Sequence, residues 1–216
     1  MNLIVLSAGR WSRLRPLTDN KPKVLLKINW KTILEMLKEN VWAEKNVVVT
    51  WYLWEKIEEN KVTNDLWYEN GSSSSLYLAR NYLKWDTMIV YGDMIIDKED
   101  FEEMKNQDCI LVDDKEKWDD YDEYVNKDSL WLKYRSEIWE CERFLWAIHL
   151  KEETAKKLYK YFKPWMLNYK IWLADLIWDF FDANNIDFKK VKAKNKWFEL
   201  DKIQDYINAK IYFNDY

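Results

Sequence analysis

The chain begins with a short apolar run that ends in a turn of small residues, and this feature constrains the fold most. Leu3-Ile4-Val5-Leu6 is followed by Ser7-Ala8-Gly9. A strand that opens into such a turn lets backbone N–H groups approach a phosphate or a base closely. Basic side chains follow, among them Arg10, Arg13, Arg15 and Lys23. Because arginine and lysine neutralise phosphates, the spacing predicts a nucleotide-binding βα turn, with a solvated basic loop as the alternative.

Apolar runs and helical patterns alternate in the first half of the chain. Strand patterns cover 3–7, 47–49 and 87–91, and helical patterns cover 32–44, 53–59 and 74–84. In the second half, strand patterns cover 109–113, 123–126, 129–134, 143–149 and 187–193, and helical patterns cover 151–162, 172–184 and the segment from 202. Such an order predicts a sheet with helices on both faces. We therefore expect an α/β protein, a Rossmann-like three-layer αβα sandwich with a mixed, mainly parallel sheet.

Length and charge narrow the function classes. The chain has 216 residues and a net charge of −4, which predicts one domain over residues 1–216. No basic stripe is available for a nucleic-acid partner. The N-terminal apolar run is too short for a signal peptide or a membrane span, so we expect a cytoplasmic protein without membrane insertion. Oligomer formation stays open.

Residues 6–18 and the pair Pro22-Lys23 resemble the signature of the nucleotidyltransferases that activate phosphorylated small molecules. That signature reads Leu-Ala-Ala-Gly-x-Gly-x-Arg-Leu-x-Pro-Leu-Thr and then Pro-Lys, and the chain departs from it at Ser7 and Trp11. Ser7 replaces an alanine harmlessly. Trp11 replaces a glycine that lets the backbone approach the triphosphate closely.

The resemblance implies a role for each matching residue of this loop. Arg13 would hold the β- and γ-phosphates of a nucleoside triphosphate. Lys23 would lie near the α-phosphate and the incoming phosphate. Ser7, Ala8 and Gly9 would offer backbone contacts to the base and ribose.

Two acidic segments contain the side chains for which the resemblance implies a metal site. Asp93 follows the strand 87–91, where a carboxylate points into the crevice at the carboxyl edge of an open sheet, although Gly-Asp is also ordinary turn chemistry. Glu199 and Asp201 lie in a segment that resembles the family's Glu-Ile-Asp-x-x-x-Asp, and Asp201 with Gln204 also makes a capping-box pattern. The resemblance implies that Asp93 and Asp201, with Glu199, bind Mg²⁺, an ion that prefers oxygen ligands.

The remaining predictions concern side chains outside these two motifs. Cys109 and Cys141 lack metal or redox spacing, and the lone His149 is interpreted as structural. The serine run 72–75 opens a helix, and Ser73 is expected to contact the nucleotide, with plain helix capping as the alternative. In the acidic, aromatic run 113–124, four side chains could receive a cationic head group if the run is more than a solvated loop: Asp119, Tyr121, Asp122 and Tyr124. Glu140 or Lys133 would instead read the hydroxyl groups of a sugar.

The implied reaction joins a small phosphorylated metabolite to a nucleoside monophosphate and releases pyrophosphate. The attacking phosphate oxygen is already anionic, so the reaction needs positioning and charge neutralisation rather than a general base. The short chain and the Arg13-Leu14-Arg15-Pro16 form favour the phosphocholine cytidylyltransferase type, with CTP as donor. A sugar-1-phosphate nucleotidyltransferase is the alternative, as is a nucleotide-binding module impaired by Trp11.

Glycine is scarce and tryptophan abundant. The chain has 3 Gly and 15 Trp, whereas average usage would give roughly 15 glycines. Several tryptophans stand where turns or the family have glycine: Trp11, Trp30, Trp51, Trp54, Trp85 and Trp146. We hypothesise that a codon meaning glycine in the source was read as tryptophan, and we predict glycine-type backbone at Trp11, Trp30, Trp51 and Trp146. A tryptophan-rich core is the alternative.

Overall fold

The structure is a computed structural model that describes residues 1–9, 12–113, 124–126, 131–132 and 141–214. Within these residues the strands are β1 (Asn2–Ser7), β2 (Lys27–Ile28), β3 (Lys31–Thr32), β4 (Lys45–Thr50), β5 (Lys61–Thr63), β6 (Thr87–Tyr91), β7 (Met94–Ile95), β8 (Cys109–Asp113), β9 (Tyr124–Asn126), β10 (Trp131–Leu132), β11 (Cys141–Leu150), β12 (Lys189–Lys192) and β13 (Phe198–Glu199). The helices are α1 (Ile33–Val41), α2 (Trp67–Leu78), α3 (Lys98–Met104), α4 (Glu152–Tyr161), α5 (Leu173–Ala183) and α6 (Ile203–Asn214).

The first half of the chain builds a parallel sheet in the order β6-β1-β4-β5. Leu6 lies opposite Val49 on one side and Tyr91 on the other. The carboxyl ends of β1, β4 and β6 therefore reach the same edge, as the strand patterns predict. A crevice at this edge is where open α/β sheets bind ligands.

The second half adds antiparallel strands beyond β6. Strand β11 runs antiparallel to β6, β8 and β9, whereas β12 pairs in parallel with β8. Ala147 lies opposite Val90, so the residues of β11 that precede Ala147 extend past the carboxyl end of β6. The result is the predicted mixed sheet, parallel on the β1 side.

Helices cover both faces of the sheet, because alternate residues of the buried strands point to opposite sides. Leu3 and Val5 of β1 join a core with α1, α3 and α6, whereas Ile4 and Leu6 join a second core with α2, α4 and α5. These two cores confirm the predicted αβα sandwich. No helix of the described segments is long and apolar enough to cross a membrane.

Two helices have local features that the sequence patterns above did not predict. Helix α3 begins after Asp97, whose side chain accepts a hydrogen bond from the Glu99 backbone N–H, and it buries Phe101 and Met104. Helix α2 begins at Trp67, before the serine run, and bends at Gly71, where φ is 69°. A Cβ at Gly71 would lie 2.5 Å from the Ile171 carbonyl oxygen, so only glycine fits this bend.

The tryptophan hypothesis meets a mixed outcome. Trp146 has φ of 52° and lies where the pairing of β11 with β8 shifts register, a bulge position that favours glycine. Trp42, which we did not single out, ends α1 with φ of 48° and is 77% exposed. At Trp30 and Trp51 φ is not positive; the left-handed residue of the first turn is Asn29. Trp11 lies outside the described residues.

Candidate active site

A short ladder brings the C-terminal segment to the carboxyl edge of the sheet. Strand β7, just after Asp93, pairs antiparallel with β13, so that Glu199 lies opposite Met94. The Leu200 backbone N–H also donates to the Asp93 carbonyl oxygen at 3.0 Å. This pairing places Glu199 and Asp201 beside Asp93.

The three acidic side chains form a compact cluster of oxygen donors. Asp93, Glu199 and Asp201 each offer a carboxylate oxygen, and these atoms lie within 4.8 Å of one another. Asp93 is buried, and its Oδ1 has no hydrogen-bond partner among the described residues. A buried carboxylate oxygen without a partner is costly unless a ligand satisfies it. The all-oxygen donor set fits Mg²⁺ and does not fit a zinc site.

Each carboxylate of this cluster is paired with its own cation. Lys23 Nζ lies 3.1 Å from Asp93 Oδ2, and an Arg13 guanidinium nitrogen lies 3.0 Å from Asp201 Oδ2. An Arg143 guanidinium nitrogen donates to Glu199 Oε2 at 2.6 Å. Three negative and three positive groups thus neutralise one another before any ligand enters.

The cations differ in how firmly they are held. Lys23 begins a 3-10 turn after Pro22, and its side chain is fully buried, with Asp201 Oδ1 at 4.0 Å as a second neighbour. Arg13 belongs to the 3-10 turn Ser12–Leu14 and keeps 58% of its side chain exposed. Arg13 can therefore turn towards an incoming phosphate, whereas Lys23 is fixed beside Asp93.

Unpartnered hydroxyl groups mark the neighbouring part of the edge. The hydroxyl oxygens of Ser7, Thr50 and Ser73 are buried and have no hydrogen-bond partner within the described residues. Ser7 and Thr50 lie opposite each other at the ends of β1 and β4, and Ser73 lies in α2 just after its bend. Three such groups at one edge fit a polar ligand such as a nucleotide. The buried Ala8 and half-buried Gly9 continue the same loop.

Ser73 and Asp201 are each predicted either to contact a ligand or to cap a helix, and the hydrogen bonds bear on both alternatives. Ser72 Oγ, not Ser73 Oγ, caps the start of α5 by accepting from the Leu173 backbone N–H at 2.9 Å. At the start of α6, Asp205 accepts from the backbone N–H groups of Asp201 and Lys202. The Asp201 side chain is thus left to Arg13 and the acidic cluster. The capping-box pattern of Asp201 with Gln204 is not formed, since Gln204 donates to Asn208.

Cys109 and His149 lie away from this cluster. Burial raises the pKa of the Cys109 thiol to about 12, so the group stays an unreactive thiol. Burial also lowers the pKa of His149, whose Nδ1 lies 2.7 Å from the Gln107 carbonyl oxygen. This contact fits the structural role expected for His149.

Comparison with known proteins places the chain in a family, although no family model matches it. "Bifunctional protein GlmU" of Methanococcus vannielii is 26% identical over 90% of this chain and 56% of its own length. A choline-phosphate cytidylyltransferase of Streptococcus pneumoniae is 36% identical over 38% of this chain and 41% of its own length. The UTP–glucose-1-phosphate uridylyltransferase AglF of Haloferax volcanii is 28% identical over 57% of this chain and 58% of its own length.

The chain belongs to the nucleotidyltransferase superfamily. Its matches span between two fifths and three fifths of the length of these curated relatives. Solved structures agree on the fold. The inositol-1-phosphate CTP transferase of T. maritima superposes with a TM-score of 0.77 at 19% identity, covering 98% of this chain and 93% of that one. The CTP:phosphocholine cytidylyltransferase of Streptococcus pneumoniae superposes with a TM-score of 0.71 at 19% identity, covering 98% of both chains.

The structure brings together the residues predicted for phosphate and metal: Arg13, Lys23, Asp93, Glu199 and Asp201. Sequence reasoning missed Thr50 and Arg143, which match no stated motif. The proposed acceptor residues Asp119, Tyr121, Asp122, Lys133 and Glu140 lie outside the described residues, as does the side chain of Tyr124.

Proposed function

We propose that this chain transfers a nucleoside monophosphate from a nucleoside triphosphate to a small phosphorylated metabolite and releases pyrophosphate. The observation that carries the proposal is the cluster of three carboxylates, each paired with a cation, at the carboxyl edge of the sheet. Such a cluster offers positive groups to phosphates and negative groups to a metal within one crevice. It fits phosphoryl transfer, where positioning and charge neutralisation supply the catalysis.

The nucleoside would lie against the ends of β1, β4 and α2. Ser7, Ala8 and Gly9 offer backbone groups there, and Ser73 and Thr50 offer buried hydroxyls that lack partners among the described residues. These groups are short and held by secondary structure. They can therefore orient a base and ribose without large movements.

On binding, the triphosphate would replace a carboxylate as the partner of one of these cations. Arg13, which is more than half exposed, would leave Asp201 for the β- and γ-phosphates. Lys23 would stay beside Asp93 and face the α-phosphate. The carboxylates of Asp93 and Asp201, with Glu199 as a third donor, would hold Mg²⁺. When bound, the ion neutralises charge on the phosphates and on the leaving pyrophosphate.

For the donor and acceptor we favour CTP and phosphocholine. The form of the first loop supports this choice, as do the names of the choline-phosphate cytidylyltransferase relative and of the superposed phosphocholine cytidylyltransferase. The name of the other superposed structure supports CTP only. A sugar 1-phosphate as acceptor is the second candidate, because the uridylyltransferase relative has glucose 1-phosphate in its name. We place the acceptor on the β11 side of Asp93, since the β1 side is used by the nucleotide.

A substrate panel tests the function. CTP, UTP, ATP, GTP and dTTP are each combined with phosphocholine, aminoethylphosphonate or glucose 1-phosphate, and pyrophosphate release is measured. We expect the highest kcat/KM with CTP and phosphocholine. A sugar 1-phosphate turned over far better would establish the second candidate. Nucleotide binding without pyrophosphate release from any pair would identify a non-catalytic module.

Matched variants test the site. Asp93→Asn and Asp201→Asn should each lower kcat at least about a hundredfold, in line with the loss of a main electrostatic group. Asp187→Asn is the control, because its carboxylate is 84% exposed and pairs only with the exposed Lys189 in the described structure. EDTA should abolish turnover. Activity that persists in EDTA would remove the metal assignment.

A further inference from the structure

Arg143 is a partly buried cation of the candidate site, and the proposed nucleotide contacts assign it no role. It lies on β11, four residues before Ala147, and Ala147 faces Val90 of the antiparallel β6. Arg143 therefore lies beyond the carboxyl end of β6, on the side of Asp93 away from β1. Arg13 and Lys23 come from the opposite side, in the segment that follows β1.

Glu199 and Trp197 are two of the groups that hold the Arg143 guanidinium in place. Glu199 Oε2 accepts its hydrogen bond at 2.6 Å, and the side chains of the pair are 12% and 20% exposed. The Trp197 ring lies 4.5 Å from the guanidinium carbon, and its indole N–H donates to Asp113 Oδ2 at 2.8 Å. An arginine fixed in this way presents a planar fork, which matches the oxygens of a phosphate.

The reaction needs such a cation on this side. An oxygen of the acceptor phosphate forms a bond to the α-phosphorus, and the bond from that phosphorus to the bridging oxygen of the β-phosphate breaks. Pyrophosphate leaves with the electron pair, and nothing is oxidised or reduced. Because the acceptor phosphate and the triphosphate are both anionic, they repel each other unless a positive group lies beside the acceptor.

We propose that Arg143 binds the phosphate of the acceptor and that Glu199 positions Arg143. This inference rests on the proposed nucleotidyl transfer and adds to it the residue that recognises the acceptor. The Glu199 carboxylate then has two roles. It belongs to the acidic cluster with Asp93 and Asp201, and it also holds Arg143.

Steady-state kinetics with the best donor and acceptor of the panel test the proposal. Arg143→Ala should raise the acceptor KM about tenfold or more, because a charge-assisted hydrogen bond is lost. The Kd of the nucleoside triphosphate, measured by calorimetry without acceptor, should change less than about twofold. Arg143→Lys keeps the charge without the fork and should give an intermediate acceptor KM. Glu199→Gln should raise the acceptor KM less than Arg143→Ala does.

Arg80→Ala is the matched control. Arg80 also stacks on an aromatic ring, 4.0 Å from the centre of Tyr77, but lies in the 3-10 turn after α2. It should leave both substrates' parameters unchanged. An unchanged acceptor KM in Arg143→Ala, or equal increases for acceptor and triphosphate, would overturn the proposal while the function stands. If Arg143→Ala fails to fold, the same comparison of acceptor KM with triphosphate Kd is made on Arg143→Lys. A wild-type protein inactive with every acceptor would overturn both.

Discussion

The buried ion pair between Lys23 and Asp93 should make the site a measurable part of folding stability. Lys23 is fully buried, the Asp93 side chain is 5% exposed, and their charged atoms are 3.1 Å apart. In Lys23→Met the Asp93 carboxylate would lose its cation in a place where Oδ1 already has no partner among the described residues. Removing one partner of a buried pair costs about 3–5 kcal/mol. We expect the free energy of unfolding of Lys23→Met to fall by about that amount.

Removing the Asp93 charge should lower the free energy of unfolding less than removing Lys23 does, because the two partners have different surroundings. In Asp93→Asn the Lys23 ammonium keeps Asp201 Oδ1 at 4.0 Å. A charge pair at 4 Å is worth up to roughly 4 kcal/mol at an effective dielectric constant near 20. The double variant Lys23→Met/Asp93→Asn should therefore lose less stability than the sum of the single variants. The coupling energy should reach about 1–3 kcal/mol.

Urea unfolding at pH 7, without divalent ions or nucleotide, measures these differences. Mg²⁺ provides a second readout, since an ion at Asp93 and Asp201 can replace the missing ammonium group. We expect Mg²⁺ to raise the unfolding midpoint of Lys23→Met more than that of the wild type. Single variants that each lose less than about 1 kcal/mol and show no coupling would refute the view that the two charges stabilise each other.

Three further predictions follow from local structure. Burial lowers the pKa of His149 from 6.5, so the unfolded chain binds more protons than the folded chain below that pH. The free energy of unfolding should therefore fall as the pH decreases, by at most about 1.4 kcal/mol per pH unit. Urea titrations at pH 5.5 and 7.5 check the slope, which a His149→Asn variant should reduce. Trp42→Gly should be about 1 kcal/mol more stable than Trp42→Ala by thermal unfolding, because Trp42 has left-handed backbone. Gly92→Ala should raise the KM for the triphosphate, since its Cβ would lie 2.8 Å from the Ser7 Cβ and displace that side chain.

The side of the site formed by β1, β4 and β6, where we propose that the nucleotide binds, could be predicted from the sequence because it depends on strong local patterns. Apolar runs predict β1, β4 and β6, and the last residue of a parallel strand and those just after it lie at the carboxyl edge whatever the rest of the fold does. Asp93 and Ser7 reach the crevice for this reason. Helix α3 could also have been predicted, since Asp97 is a good N-cap and Phe101 and Met104 share one helix face.

The side proposed for the acceptor depends on tertiary pairing that leaves little local signal. The β7–β13 ladder is two residues long in each strand, too short for a period-two pattern. The family resemblance, not periodicity, pointed to Glu199 and Asp201. Arg143 lies in a strand of mostly apolar residues. Its place in the site depends on contacts with Glu199 and Trp197, which are more than fifty residues away in sequence. Long-range neighbours of this kind are set by packing rather than by propensity.

Trp42 and Trp146 bear differently on the tryptophan hypothesis. Both have left-handed backbone, which costs a residue with a Cβ roughly 1–2 kcal/mol. The Trp146 ring offsets this cost by packing 4.5 Å from the centre of the Tyr91 ring and 5.1 Å from that of Phe144. The largely exposed Trp42 has no comparable compensation, because Lys98 at 5.8 Å supplies only a weak cation–π contact. Trp42 is thus the better support for a glycine codon read as tryptophan.

Glycine at 146 would matter more for function, since it would open space beside Tyr91, two residues before Asp93, where the acceptor is proposed to bind. Ordinary tryptophan codons at these positions in the coding DNA would refute the hypothesis.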